Sequence, residues 1–381
     1  MKRIVKYMMT WTAILPLLWA CHDPIPCDMC KLHKVTISLA TSVAPEPCTS
    51  QPAPQELLAA RNPQPAPQEL LATRNPQPAP QELLATRNSQ PAPPIVTRAI
   101  GVTAEEETRI NSVQLYIFDS NETFVQRITG TGSNYEIIIP GGRCTFCCFV
   151  NAPDLPVAPS SAEELLMYDS YLWNNGRGSF QMTGTTTVEI DSDLELEIIV
   201  QRMVAKVECI IRTDFGNSHL AGMPFKVHRI YLTNVAGKNN YALTAMQGDD
   251  GLWYNKMEYQ QSSCDNLICS SLIDRPIADG DSLVVGETLY PYPNLSTDCL
   301  GHKIWSARKT RLVIEASLGE TLWYYPVTME NTFANTYYFY DITITREGVS
   351  HPEEPVTEPG TIKTIVKISE WNEGGEIDDE V

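Results

Sequence analysis

Basic charge is scarce in this chain of 381 residues. Against 46 Asp plus Glu stand only 28 Lys plus Arg, for a formal net charge of -18 and a pI near 4.8. Such a surface repels phosphate backbones and anionic headgroups, which excludes nucleic acid as a partner and a polybasic patch as a membrane anchor. Histidine is scarce too, with 6 residues (His22, His33, His219, His228, His302 and His351) and no HExxH or other catalytic spacing among them. There is no GxSxG elbow and no P-loop, and Gly130-Thr131-Gly132 is a lone turn fragment. Acidic pairs such as Asp249-Asp250, or Asp279 with Asp281, read as solvated turns before they read as the two carboxylates of a glycosidase. We therefore expect no enzyme activity, no metal and no cofactor.

What is present fits a different class. With 43% hydrophobic residues the chain can bury two cores of ordinary size, and only 19% of it is charged. Short runs rich in Val, Ile, Thr and Tyr recur through the second two-thirds, the composition of an all-β extracellular protein.

The N-terminus reads as an address. Lys2, Arg3 and Lys6 precede an apolar stretch at 8–19, shorter than the roughly 20 residues a transmembrane helix needs. It ends in Leu18-Trp19-Ala20-Cys21, which resembles a bacterial lipobox and makes Cys21 the expected site of lipidation. A lipid on Cys21 would then anchor the protein to the outer membrane. The alternative is an ordinary secretory signal in which Cys21 is incidental.

Residues 34–40 alternate apolar and polar side chains and read as one isolated strand. From Gln51 the unit QPAPQELLA(A/T)RN recurs every 13 residues, starting at Gln51, Gln64 and Gln77, with a degenerate copy at Gln90. Pro-Ala-Pro favours polyproline II, and each Gln-Glu-Leu-Leu-Ala run is too short to persist alone as helix. Residues 42–98 are therefore expected to form an exposed, disordered insert. Each copy sets an Arg before an Asn (Arg61, Arg74 and Arg87), and Arg98-Ala99 closes the array. Extended, solvated Arg sites suit a protease, while a soluble linker is the plainer alternative.

Strands follow one another from Ala99 onward. We expect them at 112–118, paired as a hairpin with 124–128, then at 135–139, 144–150, 180–190, 194–202 and 204–211, with a looser, partly helical stretch at 160–171. A second group is expected at 226–232, 283–290, 311–318, 321–329, 337–345 and 362–368. The predicted organisation is a signal peptide at 1–20, a propeptide-like segment at 21–98 and β-sandwich domains at 99–213 and 214–381, joined near Asp214-Phe215-Gly216-Asn217.

Taken together these segments resemble the fimbrillins, lipoprotein-derived subunits of type V pili on Gram-negative surfaces. In the first domain the resemblance is carried by Val113-Gln114-Leu115-Tyr116-Ile117-Phe118-Asp119, Cys148-Phe149-Val150-Asn151-Ala152-Pro153, Met182-Thr183-Gly184 and Arg202-Met203-Val204-Ala205-Lys206-Val207. In the second come Leu289-Tyr290-Pro291-Tyr292-Pro293-Asn294, Arg311-Leu312-Val313-Ile314, Asn335-Thr336-Tyr337-Tyr338, Asp341-Ile342-Thr343-Ile344-Thr345-Arg346-Glu347-Gly348 and Ile368-Ser369-Glu370-Trp371. Each motif is short; their order and spacing behind a lipobox give the resemblance its weight.

The resemblance implies two transthyretin-like β-sandwiches in series and a specific assembly route. An Arg-specific protease cuts the lipidated precursor, the first strand leaves, and a strand from another subunit fills the groove, which is β-augmentation. It also implies that 35–40 is the removable strand, that the repeats are an enlarged loop, and that cleavage falls between Arg98 and Ala99, with Arg61, Arg74 and Arg87 as additional sites. The implied partners are other pilus subunits, the protease, the outer membrane before cleavage and a host or bacterial surface ligand. After processing the protein would sit in a surface fimbrium. The tail departs from a simple stalk subunit, because beyond Trp371 only Ile377 and Val381 are apolar among Glu373, Glu376, Asp378, Asp379 and Glu380. Either Ile362, Thr364, Val366 and Ile368 supply a donated face, or the chain is a minor or tip subunit.

Of the 11 Cys, lipidation would use Cys21 and cleavage would remove Cys27, Cys30 and Cys48, leaving an odd number. Cys27-Asp28-Met29-Cys30 lacks the second pair that a zinc site needs, even with His22 and His33 nearby. Cys144 and Cys148 share a strand face with Phe146 and Val150 and read as buried small hydrophobes, while Cys264, Cys269 and Cys299 offer loop disulfides. Trp323-Tyr324-Tyr325 and Tyr337-Tyr338-Phe339-Tyr340 put aromatics on both strand faces, and the outer set suits a sugar. A monomeric glycan-binding surface lipoprotein is therefore the alternative function.

Overall fold

The computed structural model describes residues 31–41, 103–216, 218–244, 253–254, 265–295, 309–329, 331–357 and 360–371. The alternating apolar positions build the first sandwich from β1 (Leu32–Thr41), β2 (Val113–Phe118), β3 (Phe124–Gly130), β4 (Asn134–Pro140), β5 (Gly142–Val150), β7 (Met182–Ile190) and β8 (Leu194–Arg202). Two short helices, α1 (Ala104–Thr108) and α2 (Ala162–Leu166), and the short strand β6 (Asp169–Tyr171) punctuate them. The strand order is β3-β2-β5-β7-β8-β1-β4. β7 meets β8 at Met182–Arg202 and Thr183–Gln201, and beyond those pairs the sheet turns over. The layer β3-β2-β5-β7 then faces the layer β8-β1-β4. Val35, Ile37, Leu115, Ile117, Phe146, Cys148, Ile198 and Val200 fill the space between. At the turn a β-carbon on Gly184 would run into the Ile199 carbonyl oxygen, so the close approach needs glycine.

The second sandwich contains β9 (Lys206–Thr213), β10 (Phe225–Thr233), β14 (Arg275–Ile277), β15 (Ser282–Val284), β16 (Arg311–Leu318), β17 (Thr321–Thr328), β18 (Thr336–Ile344) and β19 (Ile362–Glu370). Between β10 and β14 lie β11 (Val235–Ala236), β12 (Lys238–Asn240), β13 (Trp253–Tyr254) and α3 (Asp265–Ile268). One sheet runs β14-β10-β16-β17 and the other β15-β9-β18-β19, while β12 pairs with β6 and so ties the two halves together.

The chain is all-β, as its composition predicts. Two expectations need correction. The segment 204–211 was expected in the first domain, but β9 pairs in parallel with β18 and antiparallel with β15, so the chain passes into the second sandwich at Met203-Val204-Ala205 and not near residue 214. Alternation alone cannot say which sheet a strand joins. The run 283–290 is also broken. Val285 and Leu289 both donate backbone bonds to β9, at Cys209 and Val207, and the residues between them bulge out so that the backbone N–H of Ser271 bonds Glu287.

β2 is buried along its whole length. Val113, Leu115 and Ile117 point into the first core, while Tyr116 and Phe118 join Phe149 and Cys147 in the second. A strand buried on both faces belongs to two cores at once, which is why its sequence reads as nearly continuous hydrophobe.

Candidate functional site

The element that sequence reading treats as isolated lies inside a sheet. β1 sits between β4, antiparallel, and β8, parallel. Val35 faces Ile137 on one side and Leu194 on the other, and Ile37 faces Tyr135 and Leu196. Val35 and Ile37 are fully buried and Leu39 nearly so, while Thr36, Ser38 and Ala40 on the opposite face are half-buried. Each inward side chain contributes about 1.5–3 kcal/mol by leaving water. At the surface the Lys34 backbone N–H donates to Asp193 Oδ1 at 2.9 Å, and Lys34 Nζ lies 2.9 Å from Glu136. Removing β1 would leave a groove with two unpaired strand edges and an open apolar floor, a surface that favours taking up another strand.

Covalently, β1 joins the rest of the chain through residues 42–102. Arg61, Arg74, Arg87, Arg98 and Ala99 all fall in that interval. These positions, Cys21 and the CxxC pair Cys27 and Cys30 lie outside the described residues, as does the expected disorder of the insert. The order along the chain alone means that a cut at any of these Arg residues severs β1 from every other described strand.

The described chain resumes at Thr103, which opens α1 with a capping box. Its hydroxyl accepts from the Glu106 N–H at 3.2 Å, and Glu106 Oε2 accepts from the Thr103 N–H at 3.0 Å. One turn on, Glu107 is 4% exposed and gathers three donors: Lys206 Nζ at 3.0 Å, the Tyr290 hydroxyl at 2.8 Å and the Trp371 indole N–H at 2.9 Å. Arg202 completes the cluster, with its Nε donating to the Glu107 carbonyl at 3.0 Å and its guanidinium 4.5 Å from the Trp371 ring centroid. Burial, and then the charge of Glu107, push the Tyr290 hydroxyl well above the usual tyrosine range, so it remains a donor. Sequence reading missed this cluster. Glu107 looks like the third of three solvated acids on a short helix, and nothing local marks it as buried.

The thiols on β5 lie where the alternation placed them. Cys144 and Cys148 line the first core with Phe146 and Val150, and Cys147 faces the second with Phe149. Burial pushes Cys147 up to about 11 and both Cys148 and Cys209 up to about 12. Cys269 is half-buried, and Cys264 and Cys299 lie outside the described residues. Among the described residues no group of three or more His, Cys, Asp or Glu is placed to hold a metal. The aromatic runs are largely used internally: Tyr325, Tyr338 and Tyr340 fill the second core, and the Tyr337 hydroxyl donates to Glu208 Oε2 at 2.9 Å. Trp323 and Tyr324 pack half-buried against the same core.

No protein-family model matches this chain, and no curated protein does. Solved structures do. A candidate cell adhesion protein from Parabacteroides distasonis aligns over 76% of this chain and 95% of its own, at 15% identity and a TM-score of 0.53. Another from Bacteroides eggerthii aligns over 90% and 97%, at 14% identity and a TM-score of 0.53. A fimbrilin from Porphyromonas gingivalis covers 69% of this chain and 91% of its own at 13% identity, with a TM-score of 0.48. The first two establish a shared fold.

Proposed function

We propose that this chain is a structural and adhesive subunit of a cell-surface pilus, a minor or tip subunit that joins its neighbours by donor-strand exchange. In this reading the precursor is exported as a lipoprotein carried on Cys21 and held at the outer membrane. An Arg-specific protease cuts between Arg98 and Ala99, or also after Arg61, Arg74 or Arg87. β1 then departs, and a strand from another subunit takes its place. The observation that carries the reading is β1 itself: a centrally placed strand, buried on one face, whose covalent link to the fold is the segment holding all five named processing positions. The fold shared with candidate adhesion proteins supports it.

The chemistry of the switch is a change in connectivity. While the link is intact, β1 satisfies both neighbouring edges. Once it is cut, β1 is a separate peptide, and an incoming strand competes for the groove on equal hydrogen-bonding terms.

The test uses the full precursor treated with an Arg-specific protease, beside a variant with Arg61, Arg74, Arg87 and Arg98 all changed to Lys. We expect a new N-terminus at Ala99 or after another array Arg, loss of the β1 peptide, and cleavage-dependent uptake of a strand-bearing subunit into complexes that survive unboiled electrophoresis. The Lys variant should stay intact and monomeric. Complexes that form equally well without cleavage would refute strand exchange.

A further inference from the structure

By exposure alone, β19 looks like the strand this protein would give to a neighbour. It is an edge strand paired with β18 from Thr336–Glu370 to Ile344–Ile362. Ile362, Thr364, Val366 and Ile368 lie opposite the core residues Ile344, Ile342, Tyr340 and Tyr338, yet Val366 is 41% and Ile368 60% exposed. Ile362, by contrast, packs partly buried against the second core.

Both ends of β19 are nevertheless held. At its start the Thr345 N–H donates to the Thr361 carbonyl at 3.1 Å, and Thr361 is buried. At its end Trp371 is 2% exposed, stacks on Tyr290 with centroids 5.7 Å apart, and gives its N–H to the buried Glu107 carboxylate. Withdrawing β19 would pull Trp371 out of this pocket, remove one donor from a buried charge and open the β18 edge with nothing to replace it. Withdrawing β1 differs, because an incoming strand restores both ladders.

Resting on the strand-exchange reading, we infer that Trp371 pins β19 into its own sandwich through Glu107. The emptied β1 groove is then filled by a subunit of different sequence, one whose strand carries branched apolar residues at three alternate positions as Val35, Ile37 and Leu39 do, and not by β19 of a second copy. Assembly at this groove is heterotypic.

The experiment takes the Arg-protease-cut protein alone at high concentration, then with a labelled synthetic peptide of residues 33–41, and follows mass by light scattering and amide exchange over 362–370. We expect a monomer that takes up the peptide only after cleavage, with β19 amides as slow as in the uncut precursor. Trp371→Phe and Glu107→Gln should each speed exchange in β19 at least tenfold while β16 stays protected, which shows that the variants remain folded. Self-assembly of the cut protein with loss of β19 protection would overturn the inference and leave strand exchange standing. So would β19 amides unchanged in both variants. A cut protein that neither binds the peptide nor assembles would overturn the strand-exchange reading, and this inference with it.

Discussion

The indole N–H of Trp371 donates to the carboxylate of Glu107 across 2.9 Å, joining the residue that follows β19 to the short helix α1. Lys206, at the start of the second sandwich, and Tyr290, in its core, meet the same carboxylate. A buried charge with several donors fixes one arrangement of these segments more sharply than an apolar contact of equal area would. The junction between the sandwiches is tied further by a polar network in which the Tyr292 hydroxyl, Ser170, Asn175 and Gln181 are all buried and bonded to one another.

Trp371→Phe should lower the stability of the folded protein by about 1–3 kcal/mol, since it leaves the buried Glu107 carboxylate short of one donor while keeping most of the ring packing. Chemical denaturation checks this, and Trp371→Ala should cost more, about 3–5 kcal/mol.

Within β1 the two faces should respond differently. Ile37→Ala empties a fully buried site and should cost about 2–5 kcal/mol in the uncut precursor, whereas Thr36→Ala on the outer face should stay within about 0.5 kcal/mol. If strand exchange operates, Ile37→Ala should also speed loss of the cut β1 peptide, measured by mass spectrometry of the retained complex.

Gly184→Ala should destabilise the first sandwich, because the added methyl meets the Ile199 carbonyl oxygen and the flanking Val200 side chain. Overpacking of this kind costs about 1–3 kcal/mol. A thermal melt reads it, and Gly132→Ala serves as a comparison that meets no neighbour and is strained only by its positive φ.

The buried thiols set an alkaline limit. Cys148 and Cys209 are held protonated up to about 12 in the folded chain, whereas a solvated thiol ionises near 9. The unfolded state therefore sheds protons first, and stability from these groups, fully present below pH 9, declines as the pH rises towards 12. At pH 8 a thiol-specific reagent should leave Cys144, Cys147, Cys148 and Cys209 unmodified until denaturant is added. Peptide mapping of the labelled chain would show it.

Much of the fold is legible in the sequence because its strands alternate cleanly. β16 falls at 311–318 as the pattern predicts, and β2 and β3 form the expected hairpin. What alternation does not carry is partnership. The N-terminal strand pairs with β8, and Lys34 bonds Asp193, the residue just before β8, across 159 residues of chain; a separation of that size leaves no local trace. Membership of β9 in the second sandwich is hidden for the same reason. The candidate groove was therefore half legible: the strand that fills it and the Arg residues that follow stand in the sequence, while its walls, and the Glu107 cluster, appear only when distant segments meet.

The link between β1 and the body also governs concentration. While residues 42–102 are continuous, the strand and its groove belong to one molecule, and their encounter is unimolecular at any dilution. A single cut turns the same contacts into a bimolecular equilibrium, whose outcome depends on how much competing strand is nearby and how fast released peptide diffuses away. If strand exchange operates, occupancy in a crowded layer of strand-bearing subunits would pass to the newcomer by mass action. In dilute solution the original peptide is lost and the groove stands open. On the strand-exchange reading the intact chain would therefore be insensitive to its surroundings, and a cut one would report on them.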